Sequence, residues 1–213
     1  MTLNKLERRI IDISYKKGLS HIGSCLGAVN TIEKIYGEMV DRANLGIPVG
    51  TDKFVLSSGH MGLALYVVLE DYFGLDAEEI FNAHGVHPEY CTTCHLDCSS
   101  GSLGQGLPIA VGMALANRNR NVYCVISDGE AAEGSIWEAL RIKREQKVDN
   151  LFIYCIYNGW SAYGPTDEAL IPQLLRFGST VNVIRVQDKL PEISGQDAHY
   201  HKLTKEEYER ITA

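Results

Sequence analysis

A chain of 213 residues with 45% hydrophobic and 22% charged side chains has the composition of one globular domain able to bury a sizeable core. Its net charge of −7 excludes a general nucleic-acid binder, and any anionic ligand must be held by local groups because the bulk charge repels it. No apolar run approaches a membrane span, and Lys5–Arg9 is followed by no apolar signal core, so a cytoplasmic protein without membrane contact is expected.

Residues 3–17 place Leu3, Leu6, Ile10 and Ile13 on one helical face, and Gly18 ends the run. A second helical pattern covers 23–40. Phe54-Val55-Leu56 reads as a short buried strand, followed by Ser57-Ser58-Gly59-His60 and a helix through Phe73. A short helix is expected over 76–83. Residues 84–102 show no periodicity, and so long an irregular stretch inside a compact domain marks a working loop. The pattern continues with a helix over 103–119, a strand over 121–126, a helix over 133–147 and a strand over 150–157. A weaker helix at 167–177, a strand at 181–186, an irregular tail over 187–201 and helical turns at 204–211 complete the chain. Alternating strands and helices predict an α/β fold, a three-layer and mostly parallel sheet with helices on both faces, with residues 1–213 as one domain.

Two strand ends carry oxygen donors. Asp128-Gly129 ends one apolar run and Asn158-Gly159 ends the next, 30 residues after Asp128. In a parallel sheet, ligands collect at the carboxyl ends of strands, and a hard cation such as Mg²⁺ takes a carboxylate, an amide oxygen and phosphate oxygens. Either dipeptide alone reads as a turn. The pair, spanning one strand–helix–strand unit with Glu130 and Glu133 at the helix opening, reads as a metal–diphosphate clamp.

At these residues the chain resembles the thiamin-diphosphate binding motif, and Asp128-Gly129-Glu130-Ala131-Ala132-Glu133-Gly134-Ser135-Ile136-Trp137-Glu138-Ala139 is similar to the transketolase family, in particular its split form. The resemblance runs from about residue 3 to Gly164 and implies a thiamin-diphosphate-binding fold. It implies that Asp128, the Asn158 side chain and the Trp160 carbonyl hold Mg²⁺, or another divalent ion such as Ca²⁺ or Mn²⁺, on the cofactor diphosphate. Gly129 would lie against the cofactor, and Glu133 would lie near it and link paired sites. Ser127 stands where the family usually has glycine, which bears on how closely the backbone approaches phosphate. Gly101-Ser102-Leu103-Gly104-Gln105-Gly106 opens a helix, where free amides favour an anion. It matches the family loop on the thiamin ring and diphosphate, which points to Gly101 and Leu103.

His21, His60 and His87 fall at loops or helix starts and resemble the family's substrate- and diphosphate-facing histidines; imidazole exchanges protons near neutral pH. The family's late histidine aligns with His199, with His201 the alternative. Cys91, Cys94, His95 and Cys98 offer four soft ligands in eight residues, compatible with incidental or redox-sensitive thiols or with a structural metal; haem attachment would need an exported chain.

The resemblance implies transfer of a two-carbon ketol unit between sugar phosphates, with His21, His60, His87 and His199 as catalytic groups. The family's activating glutamate lies on a pyrimidine-binding domain not seen in these residues. A partner chain, in a heterotetramer, is therefore expected to supply it. Residues 165–213 look shortened against the family. Alternatives are a deoxyxylulose-phosphate synthase-like or 2-oxoacid-cleaving enzyme, or a non-catalytic scaffold protein with a cysteine-rich metal site.

Overall fold

Helix α1 (Lys5–Lys17) starts at a reciprocal cap: Asn4 accepts from the Glu7 backbone N–H at 2.8 Å, and the Glu7 carboxylate accepts from the Asn4 N–H at 3.1 Å. Gly18 closes it in the left-handed conformation. The structure is a computed structural model and describes residues 3–44, 52–187, 190 and 194–213. Helices α2 (Ile22–Asn44), α3 (Gly62–Phe73) and α4 (Ala77–His84) follow, with strand β1 (Lys53–Leu56) between α2 and α3. Asp76 caps α4 by accepting from the Glu78 and Glu79 N–H groups. Then come α5 (Gly106–Ala116), β2 (Val122–Ser127), α6 (Gly134–Glu145), β3 (Leu151–Tyr157), a hairpin of β4 (Trp160–Ser161) and β5 (Gly164–Pro165), α7 (Leu170–Leu175), β6 (Val181–Arg185) and α8 (Lys205–Thr212).

The main sheet has the order β1-β2-β3-β6 and every pair in it is parallel. Alternation along the strands splits the core between its two faces. Phe54, Leu56, Tyr123 and Val125 pack with α1, α2 and α3, whereas Val55, Cys124, Ile126 and Ile153 pack with α5, α6 and α7. This is the three-layer arrangement expected from the alternating pattern. Cys25, Cys124 and Cys155 are buried as small apolar residues.

Several elements differ from the periodicity, α7 (Leu170–Leu175) among them, which is shorter than the expected 167–177. Helix α2 runs to Asn44 rather than stopping at 40. Helix α5 opens at Gly106 instead of 103, because Gly104 sits at φ +86, outside the helical region. The β4–β5 hairpin lies where the sequence shows no element, since two-residue strands leave no alternation to detect. Of the irregular tail, residues 188–189 and 191–193 lie outside the described residues. No helix among the described residues is long and apolar enough to cross a membrane.

Candidate active site

The register of the parallel sheet places the site. Ser127 pairs with Ile156 and Leu56 pairs with Val125, so the segments leaving β1, β2 and β3 emerge side by side. They open into a cavity of about 220 Å³ whose lining includes Asp128, Gly129, Glu133, Asn158 and Trp160. The same lining contains Gly101 and Leu103, and all four histidines, His21, His60, His87 and His199. The residues that the sequence assigns to cofactor, metal and catalysis thus face one space at the carboxyl edge of the sheet. His201 does not line it; its Nε2 lies 3.0 Å from the Glu207 carboxylate on α8. Of the two late candidates, His199 is the one at the cavity.

Asp128 is 2% exposed. One carboxylate oxygen accepts from the Gly159 N–H and the Thr166 hydroxyl, both at 2.8 Å, and the other from the Gly129 N–H at 3.0 Å. Burial nevertheless raises its pKa, and no cationic side chain is among the causes acting on it. The Asn158 side-chain oxygen accepts from the Trp160 N–H at 3.0 Å, which fixes the turn just beyond β3. Asp128, Asn158 and Trp160, all lining the cavity, offer a carboxylate, an amide oxygen and a backbone carbonyl, the all-oxygen donor types a hard divalent ion selects. The residues present fit such an ion.

Glu130 is a second buried carboxylate, 0% exposed, where the sequence indicated only the opening of a helix. Ser57 and Ser58 each donate to it at 2.6 Å, and the Gly104 N–H donates at 2.7 Å. Ser127 joins the same network: its hydroxyl accepts from the Glu130 N–H at 3.1 Å, and its own N–H donates to Ser58 at 2.8 Å. The serine in place of glycine therefore turns its hydroxyl back into the fold. Thr166 and Ser57 also escape a reading of the sequence. The only available signal is the pair of small hydroxyls directly after β1, which has no meaning until a buried acid is placed opposite.

The glycine-rich loop is shaped by contact. Gly101 has φ +151, and a Cβ there would stand 3.1 Å from the His87 ring. At Gly104 a Cβ would meet the Ser135 hydroxyl at 2.3 Å. The loop therefore lies flat against His87 and against the start of α6.

Three imidazoles gather in the same lining. Ring centroids are 5.3 Å apart for His21 and His60, 5.5 Å for His21 and His199, and 6.1 Å for His60 and His199. The His21 N–H donates to the His199 carbonyl at 3.1 Å, which ties the start of α2 to the late segment. Nδ1 of His21 is buried without a hydrogen-bond partner. Burial, then the neighbouring imidazoles, pushes His60 down to about 3. Burial also lowers His21 and His199; at His199 the Asp128 carboxylate opposes it. Burial thus disfavours the charged form across the group.

With a depressed folded-state pKa, the unfolded chain holds more protons below the ordinary value of 6.5. The stability carried by neutral His60 is complete above that value and is lost as pH falls toward about 3. A His60→Gln variant is expected to lose less stability than wild type between about pH 7.5 and 5.5, by up to roughly 1 kcal/mol per pH unit. Urea unfolding at the two pH values checks this; a difference between the proteins that does not change with pH would contradict it.

The cysteine loop separates into two parts. Cys91 and Leu96 form an antiparallel bridge, so Cys91 and Cys94 sit in one tight turn. Hydrogen bonds from Thr93, then Cys94, pull the Cys91 thiol down to about 6. Cys98 is buried with its thiol donating to the Ser99 carbonyl at 3.1 Å, and the His95 ring stacks on Phe73 at 4.1 Å. The four soft ligands adjacent in sequence do not converge.

Residues 3–190 match the family described as transketolase, thiamine diphosphate binding domain. The chain belongs to this family. It is 34% identical over 177 residues to SqwG, the 6-deoxy-6-sulfo-D-fructose transketolase subunit of Clostridium sp. (strain MSTE9), covering 78% of this chain and 64% of that protein. It is 32% identical over 185 residues to one subunit of the apulose-4-phosphate transketolase of Phocaeicola vulgatus, covering 81% of this chain and 65% of that protein. The chain thus spans slightly less than two thirds of the length of these relatives. Among solved structures, transketolase from Leishmania mexicana superposes with a TM-score of 0.67 at 20% identity, over 97% of this chain and 39% of that one, which shows a shared fold.

Proposed function

We propose that this chain is the diphosphate-binding subunit of a split, thiamin diphosphate-dependent transketolase-type transferase that moves a two-carbon ketol unit between sugar phosphates. The observation that carries the reading is one cavity lined both by oxygen donors of magnesium type and by a cluster of three imidazoles whose charged form burial disfavours. The cofactor would supply the nucleophilic and electron-accepting chemistry. Asp128, Asn158 and the Trp160 carbonyl would hold Mg²⁺ on its diphosphate, and Gly101, Leu103 and Gly129 would let backbone approach it. His21, His60, His87 and His199 would orient substrate hydroxyls and move protons; a depressed pKa keeps ring nitrogens of His21, His60 and His199 free to accept.

The relatives named as subunits support a partner chain. Size supports it too: about 220 Å³ falls below the roughly 300–1,000 Å³ of a complete small-molecule site. A pyrimidine-domain partner would provide the missing walls and the activating glutamate, in a heterotetramer. Glu133, exposed in the cavity lining, and Tyr163, 95% exposed on the hairpin, would meet it. With six unpaired cysteines, we place the assembly in a reducing compartment, the cytoplasm.

The test is calorimetric titration of thiamin diphosphate with and without Mg²⁺, on the chain alone and with its pyrimidine-domain partner, followed by a ketol-transfer assay on a panel of sugar phosphates. Binding that needs the metal and tightens with the partner, and turnover that needs both chains, are expected. No binding under any of these conditions would refute the reading.

A further inference from the structure

His84, the last residue of α4, lies with Cys91 and Cys94 so that one ligand atom from each falls within 4.8 Å of the others. We propose that these three side chains form a zinc site, separate from the cavity above, that clips the end of α4 to the loop feeding His87 and Gly101 into that cavity.

The ligand chemistry is that of zinc: two thiols and an imidazole. Zinc bonds of about 2.3 Å to sulfur and 2.0 Å to nitrogen set ligand spacings of roughly 3.5–3.8 Å in a tetrahedron. Atoms already within 4.8 Å need move by no more than about an ångström to close on the ion. Neither ring nitrogen of His84 makes a well-formed hydrogen bond and both are shielded from water, although the residue is only half-buried; its imidazole interacts instead with the Cys91 thiol. A shielded imidazole whose polar contact is a thiol gains from a metal bond at one nitrogen.

The backbone is already arranged for the sulfurs. Cys91 and Leu96 exchange two hydrogen bonds of 2.9 Å, and His95 takes a left-handed φ of 56° directly after Cys94. This turn holds both cysteines in one short hairpin and sends the His95 ring onto Phe73 instead of toward the sulfurs. On binding, the two thiols release their protons to solvent, and two thiolates balance the dication. Cys91 and Cys94 are half-exposed, so water can complete the fourth position. None of the three residues lines the reaction cavity, so the role is structural.

The test uses the whole chain, purified under reducing conditions without chelator. About one zinc per chain is expected by elemental analysis. After stripping, titration with Co²⁺ should produce thiolate-to-cobalt charge-transfer absorption, a signal that binding at the all-oxygen Asp128 site cannot give. Cys91→Ser and Cys94→Ser should abolish that absorption, and His84→Gln should weaken binding at least about ten-fold. His95→Gln and Cys98→Ser should stay within about two-fold of wild type. The wild-type titration requires no variant to fold. A chain that carries no zinc and gives no thiolate–cobalt signal would overturn the proposal. So would a signal that survives Cys91→Ser, or one that is lost in Cys98→Ser with native circular dichroism.

Discussion

Asp128→Asn is expected to weaken magnesium-dependent binding of thiamin diphosphate at least about 100-fold, while leaving the ligand-free fold within about 1 kcal/mol of wild type. The substitution keeps the shape of the side chain and an oxygen for the Gly159 and Thr166 donors, but removes the one formal charge among the three proposed ligands. Losing a buried charge that faces a dication costs several kcal/mol of binding, and each 1.4 kcal/mol is about ten-fold in Kd. Without ligand the balance is different. Burial raises the pKa of Asp128 above its ordinary 3.8, so the folded chain holds more protons than the unfolded chain in that window. Its ionised form therefore weakens the fold as pH rises through the raised pKa, and that cost persists at pH 7. The amide removes this cost and gives up the Gly129 contact. Calorimetry and melting temperature, each with and without Mg²⁺ and cofactor, separate the two effects. Cofactor binding that survives the substitution would remove Asp128 from the metal site.

The second large effect falls on a residue that touches no ligand. Glu130→Ala is expected to destabilise the chain by about 3–5 kcal/mol, because it strands the Ser57 and Ser58 hydroxyls and the Gly104 N–H away from water. Glu130→Gln should cost less than half as much. Burial raises the Glu130 pKa against the lowering effect of these donors, and an amide retains an acceptor for the Gly104 N–H. These bonds tie the ends of β1 and β2 to the glycine-rich loop, so the alanine variant should also speed hydrogen exchange at residues 101–104. Urea unfolding checks the first effect and exchange mass spectrometry the second. An alanine variant within about 1 kcal/mol of wild type would show that the network does not hold the loop.

The two buried acids show why one was legible in the sequence and the other was not. Asp128 ends an apolar strand and is answered by Asn158 at the end of the next strand. Parallel pairing makes such ends neighbours whatever the rest of the fold does. Glu130 stands only two residues later, yet its partners come from residues 57, 58 and 104, in separate segments. No spacing along the chain announces that convergence. The cysteine loop shows the same limit from the other side. Proximity in sequence grouped His95 and Cys98 with Cys91 and Cys94. A left-handed residue and a core-facing thiol disperse them, and the end of a preceding helix brings His84 in instead.

The sequence by itself determined the layer order, the face each strand residue presents and the strand-end donors Asp128 and Asn158, whereas the cavity's histidines and glycines were legible only through the family resemblance. Periodicity and strand-end chemistry are local properties that survive any arrangement of the loops. Tertiary structure alone decided which buried acid is braced by hydroxyls, which late histidine faces the cavity, and which imidazole stands beside the cysteine pair. Each of those depends on backbone angles and contacts between segments distant in the chain, where a single residue at positive φ redirects a side chain that spacing alone would have placed elsewhere.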